Sequence, residues 1–279
     1  MGKTLREPAL VLTLVVVVSL LGFFVIYPQL RVVLVPGLAG YVEFFREQTW
    51  VKPLLHSLQI TVLSTTTAVT LGFVYAYAMV YSDMPWKRFF RLVGILPLLS
   101  PPFVVAASYI LLFGPRGVIS YRLLGQSPNV LGLSGLWGVQ TIAFFPFAYQ
   151  LIADVLSRSD LGLEQAARNL GAGAWGVFRT VTLPLSRPGL AAATLMTAIY
   201  VMEDFGNPAL IGGQFTVLPT QAYGLISGFG DLAGAAVVST MLTVLALLLY
   251  IGRMRLEGSR SYVTIAGRAS AMPRPPVPR

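Results

Sequence analysis

The chain contains no cysteine, which excludes disulfides, thiolate metal sites and cysteine nucleophiles. Its single histidine, His56, is too little for a histidine-based metal or catalytic cluster. Charge is scarce: 11% of the 279 residues are Asp, Glu, Lys or Arg, where a soluble domain carries about 25%. There is no Gly-x-x-x-x-Gly-Lys-Ser/Thr phosphate loop, and neither heptads nor strand-type alternation can be found. With 55% hydrophobic residues, water alone is a poor solvent for such a chain.

What is present is a series of apolar runs. Against the roughly 20 apolar residues that a membrane span requires, six stretches stand out: Ala9–Tyr27, Leu54–Val80, Leu92–Phe113, Leu136–Val155, Pro188–Asn207 and Leu232–Gly252. The first follows a short basic start but has no small-residue cleavage site, so it reads as a retained span. The fifth is the weakest, because Glu203 and Asp204 intrude near its end. With the N-terminus inside, fifteen basic residues fall in cytoplasmic segments and five (Arg31, Arg46, Lys52, Arg116, Arg122) outside. That asymmetry predicts both termini in the cytoplasm. It also accounts for the net charge of +9 without nucleic-acid binding. The expected organisation is a six-helix domain over residues 1–252, followed by a basic, Pro-rich tail or linker over 253–279.

The outer connections, Pro28 to Pro53, Gly114 to Gly135 and Pro208 to Asp231, read as modest loops, none large enough for an enzymatic domain. Pro97, Pro101 and Pro102 fall in the third span and Pro146 in the fourth. Prolines are tolerated in membrane helices where neighbours or water satisfy the freed carbonyls. They serve as packing kinks, as kinks in helices that line a pathway, or as both. Ser64 to Thr67 and Thr70 in the second span read as a close helix-packing face, with a polar path as the alternative.

The connection between the fourth and fifth spans, residues 157–186, is different. Asp160 can cap a short helix on which Leu163, Ala166, Ala167 and Leu170 form one apolar stripe. Gly171 stands where a helix commonly ends at positive φ. Trp175, Phe178 and Val181 follow as a second amphipathic turn, and Pro184 is expected to force an exit. The stripe has no core of its own to enter. Two readings stay open: docking in a groove on a partner, with Arg168 and Arg179 on the flanks, and an interfacial helix lying on lipid.

The stretch "LEQAARNLGAGAWGVFRTVTLPLSRPG" resembles the EAA loop of binding-protein-dependent ABC importer permeases. Gln165, Ala166 and Ala167 take the Glu-Ala-Ala places, Gly171 the glycine, and Val181, Leu183 and Pro184 the closing hydrophobic-x-Leu-Pro. The departure is glutamine for glutamate, with Glu164 one place earlier. The resemblance extends from "HSLQITVLSTTTAVTLGFVYAYA" to the sixth span. It implies an all-α integral membrane protein of the type I ABC importer permease fold, in the bacterial inner membrane and without catalysis of its own. Glu164, Gln165, Ala166, Ala167, Arg168, Leu170, Gly171, Trp175, Phe178, Leu183 and Pro184 would then couple it to a dimeric cytoplasmic ATPase. ATP and magnesium would bind at that ATPase and no cofactor at this chain. The other implied partners are a second permease half, of the same or a sister chain, a periplasmic substrate-binding protein and membrane lipid.

The segments "LPLLSPPFVVAASYILLFGPRG" and "EDFGNPALIGGQFTVLPTQAY" resemble permeases for ferric iron, with relatives for 2-aminoethylphosphonate and other phosphorylated small molecules. "RSYVTIAGR" resembles the joint of fused iron permeases. Ferric iron is the expected cargo and a phosphonate the alternative. An intramembrane enzyme or a stand-alone channel is remote, because no nucleophile, metal set or acid–base set converges in the spans. The expected translocation path takes in Asp204, Glu203, Asn207, Pro101 and Ser100. Asp204 is expected on a water-filled outer vestibule, since an uncompensated carboxylate at membrane depth is costly. Glu203, one position round the helix, should point elsewhere.

Overall fold

The computed structural model describes residues 8–158 and 161–258, and every regular element among them is helical. In chain order these are α1 (Pro8–Leu21), α2 (Tyr27–Leu34), α3 (Gly37–Arg46), α4 (Gln48–Tyr81), α5 (Lys87–Leu99), α6 (Pro102–Phe113) and α7 (Leu133–Ser157). They are followed by α8 (Leu161–Asn169), α9 (Ala174–Val177), α10 (Leu183–Glu203), α11 (Gly206–Ile211), α12 (Leu218–Phe229) and α13 (Leu232–Gly258). Five stretches among the described residues are long and apolar enough to cross a membrane: Leu10–Leu34, Trp50–Tyr81, Phe103–Leu123, Leu133–Ser157 and Leu232–Arg255.

The remaining long helix, α10, has 21 residues, about 32 Å of rise, but is less apolar. It packs against α4, α7 and α13. Its buried polar residues, Ser186 and Thr197, therefore face protein, and a helix so placed does not need the apolar surface of one bathed in lipid.

Three expectations change. The third span is not one helix. Ser100 and Pro101 adopt extended dihedrals between α5 and α6, because Pro101 and Pro102 remove two consecutive backbone donors and disfavour helix before them. The resulting pieces have 13 and 12 residues, each about 20 Å long or less, and α6 reaches crossing length only together with the π turn Val118–Leu123 that follows it. The connections starting at Pro28 and Pro208 are largely helical, holding α2 and α3, and α11 and α12. The last helix runs to Gly258, six residues beyond the expected boundary at Gly252. The rest of the tail, including "RSYVTIAGR", lies outside the described residues.

Neither Pro28 nor Pro184 ends its helix, and for the same reason. Each follows a five-residue π turn, Gly22–Ile26 and Phe178–Thr182, whose closing amide (Tyr27 and Leu183) donates to the carbonyl five residues back. The wider turn makes room for a proline ring that would clash with a carbonyl four residues back. The expected exit at Pro184 is thus a continuous entry into α10.

The bundle packs around α4 and α7, its most extensive contact. Near the end that carries residues 161–186, Ala76, Met79, Ala148, Tyr149, Ile152, Leu156 and Ala193 form one core. Toward the opposite end Ile60, Ala106, Val130, Leu136, Val139, Ile211 and Val217 form another. The two helices approach closely at Gly72, where an added Cβ would lie 2.8 Å from both Ala148 Cβ and Tyr149 N. The small-residue reading of α4 as a packing face thus has a structural counterpart, with Ser64 and Ala68 fully buried.

Candidate functional site: a mounted hairpin and a buried carboxylate

Residues 161–186 form a helical hairpin at one end of the bundle. Asp160, the expected cap, lies outside the described residues. At the other end of α8, Gly171 N–H donates to Arg168 O (2.9 Å) and Ala172 N–H to Ala167 O (3.0 Å). These are the two bonds of a Schellman ending. Gly171 sits at φ +87°, a conformation that costs a side chain with a Cβ, so the glycine sets the reversal between α8 and α9.

The exposed side of α8 carries the apolar stripe. Leu170 is 89% exposed, Leu163, Gln165 and Ala166 are exposed, and Ala167 and Arg168 are half-buried. Trp175 is 71% exposed. Phe178 points the other way, with its ring 5.4 Å from Tyr77 and 6.1 Å from Phe73 on α4, while Trp175 stacks on its outer face at 5.2 Å. Leu183 and Pro184, both half-buried, open α10. The hairpin is thus mounted on α4 by Phe178 and shows Leu163, Ala166, Leu170 and Trp175 outward.

Glu164 breaks this pattern. It is 7% exposed, and its Oε1 accepts a hydrogen bond of 2.6 Å from Tyr81 Oη at the end of α4. The acidic residue one place before the Glu-Ala-Ala register faces its own subunit, and Gln165, in the register, faces out.

The second group lies where α10 ends. Asp204 caps α10 in an extended conformation and is 7% exposed. Its Oδ2 accepts from Gln140 Nε2 and from Asn207 Nδ2, both at 2.9 Å, and its Oδ1 from Asn207 N at 3.3 Å. Gln140 Oε1 in turn accepts from Ser64 Oγ at 3.0 Å. This ties α4, α7 and α10 together through a chain of polar groups, all buried. Four more buried polar atoms, Thr61 Oγ1, Thr65 Oγ1, Thr197 Oγ1 and Asn207 Oδ1, have no protein partner.

The expected open vestibule at Asp204 is therefore corrected for the single chain: the carboxylate is enclosed, and hydrogen-bond donors rather than bulk water stabilise it. Glu203 is exposed and lines a crevice of about 600 Å³ between the N-terminal helix and α13, beside Gln29, Leu30, Leu242 and Thr243. Ser100 and Pro101 stand at the break between α5 and α6, where Ser100 Oγ donates to Leu96 O (3.2 Å) within its own helix. Only Asp204 and Asn207 of the expected path residues are joined. Gln140 was missed, although a lone amide in "LWGVQTIAFF" was a signal. Tyr81 was missed too, and nothing in the local sequence marks it.

Comparison with known proteins matches this architecture. The family described as binding-protein-dependent transport system inner membrane component matches residues 68–257. A putative ferric transport system permease protein of Haemophilus influenzae is 29% identical over 276 residues, covering 93% of this chain and 43% of that protein. The molybdenum transport system permease protein of Escherichia coli is 33% identical over 219 residues, covering 75% of this chain and 96% of that one. The chain spans less than half the length of the ferric permeases it matches. Among solved structures, a chain of a bacterial ABC transporter that imports alginate superposes with a TM-score of 0.76 at 15% identity, covering 93% of this chain and 98% of that one. The helical bundle, the hairpin and the match over residues 68–257 together assign the chain to the family of binding-protein-dependent transport system inner membrane components.

Proposed function

We propose that the chain is the permease subunit of an ATP-driven importer in the bacterial inner membrane, with both termini cytoplasmic. In this reading the α8 helix docks in a groove of a cytoplasmic ATPase dimer, where ATP and magnesium act. A second permease half completes the path, and a periplasmic binding protein delivers the solute. The observation that carries the reading is the outward stripe of Leu163, Ala166, Leu170 and Trp175 on a hairpin whose other face is anchored to α4. An apolar helix face held out from its own subunit is the shape that a groove on a partner accepts.

The proposed cargo is ferric iron. Its support is the likeness to ferric permeases over 93% and 91% of this chain. The two neighbouring carboxylates add nothing to it, because Asp204 turns inward and Glu203 outward. The molybdenum permease relative, matched over 96% of its own length, favours a second reading, an oxyanion importer.

The test is to express the chain in its source cells, purify it with whatever ATPase and binding protein it retains, and measure uptake of radiolabelled ferric iron and molybdate in proteoliposomes. Co-purification of an ATPase and ATP-dependent iron uptake are expected. A chain that purifies without any ATPase sinks the importer reading, and uptake of molybdate alone replaces the cargo.

A further inference from the structure

Glu164 is the one carboxylate among residues 161–186. It lies on a helix whose neighbouring positions Leu163, Gln165 and Ala166 are all exposed, yet it is itself buried. Tyr81 Oη donates to Glu164 Oε1 at 2.6 Å, within the range of a well-formed O–H···O bond. The two residues are 83 positions apart, so the bond joins separate elements: the outward-facing helix and the last turn of the longest span.

The surroundings make this a second, independent attachment. Tyr77 stacks on Tyr81 at 4.8 Å and meets the Phe178 ring edge-to-face at 5.4 Å. Phe178 fastens the return arm of the hairpin to α4, and Glu164 fastens α8. Between the two arms lies the Gly171 reversal at φ +87°, closed by its own two backbone hydrogen bonds. Phe178 alone would hold only the return arm to α4; Glu164 holds α8 itself to the end of α4.

Resting on the coupling function proposed for the hairpin, we propose that Glu164 is a positioning residue: its bond to Tyr81 locks α8 to α4, so displacement of α8 by a partner is passed directly into the span. Because the acid is used inside the subunit, the face offered to the partner is uncharged, formed by Leu163, Gln165, Ala166 and Leu170. The partner groove that fits it is apolar and needs no basic residue for this helix.

This chain has no cysteine, so labels can be placed on it at chosen positions, in the complete transporter with the other subunits' cysteines replaced. Spin labels are placed through Val74→Cys on α4 and Asn169→Cys on α8, and their separation is measured by pulsed electron resonance with and without ATP and vanadate. In the otherwise wild-type protein the separation is expected to stay narrow and unchanged when the ATPase closes. Adding Tyr81→Phe or Glu164→Ala, which remove donor and acceptor, should broaden and shift it on closure. Glu164→Gln, whose amide oxygen still accepts from Tyr81, should restore the narrow distribution, and a side chain that merely fills space would not separate Gln from Ala in this way. ATPase association should persist in all variants and resist high salt. Unchanged distributions in both Tyr81→Phe and Glu164→Ala overturn the proposal, as does a wild-type separation that changes on closure. Failure of the wild type to retain an ATPase overturns the coupling reading instead, and the lock with it.

Discussion

Gln140 and Asp204, 64 residues apart, meet at 2.9 Å inside the bundle, and the same glutamine accepts from Ser64 on a third helix. A buried carboxylate that loses a donor keeps its desolvation penalty, about 1–3 kcal/mol or more for a charged group. Gln140→Leu, similar in volume, is therefore expected to destabilise the bundle by roughly 2 kcal/mol. The check is the thermal unfolding midpoint of the detergent-solubilised chain. A midpoint equal to the wild type would show that the contact does not hold the helices together.

Gly171→Val should abolish transport while leaving the chain in the membrane. The position needs φ +87°, which a β-branched residue resists at about 1–3 kcal/mol. No atom lies near enough to clash with an added Cβ, so the effect isolates backbone conformation. Gly171→Asn, which tolerates the left-handed region, should recover part of the uptake. Normal transport in the valine variant would remove the reversal from the mechanism.

Leu170 is 89% exposed, so Leu170→Asp is expected to leave folding within about 0.5 kcal/mol of the wild type. ATPase co-purification should nonetheless fall at least tenfold, because the substitution places a charge on the exposed apolar stripe. Retained co-purification would favour the lipid-surface reading of α8 over docking.

At Gly72 an added Cβ would sit 2.8 Å from Ala148 Cβ and Tyr149 N. Gly72→Leu is expected to push α4 from α7 and cost about 1–3 kcal/mol, as overpacking does. Yield and unfolding midpoint measure this, with Val74→Leu on the exposed side of α4 as the control. Equal behaviour of the two variants would show that the helices can separate freely.

Reporter fusions after Gly258 and within residues 212–217 should read cytoplasmic and periplasmic respectively. The expectation rests on the fifteen-to-five distribution of basic residues. The opposite pattern would place the hairpin on the wrong side for a cytoplasmic ATPase.

The sequence by itself determined what depends on local pattern. Long apolar runs mark spans because bilayer thickness fixes their length, and the spacing from Gln165 through Gly171 to Pro184 marks the hairpin and its turn. Local reading failed at Pro28 and Pro184, since a π turn upstream absorbs each proline. It also failed at the pair Pro101–Pro102, where consecutive missing donors broke a run that hydropathy alone joins. Only the tertiary structure decided which way the acidic side chains face. Helical phase separates Glu164 from Leu163 by about 100°, but whether that direction meets solvent or Tyr81 depends on where α4 ends. Asp204 likewise looks costly in sequence because one of its donors, Gln140, comes from another helix. Hydrogen bonds act over about 3 Å in space, and no sequence pattern records which distant residues the packing of α4, α7 and α10 brings within that reach.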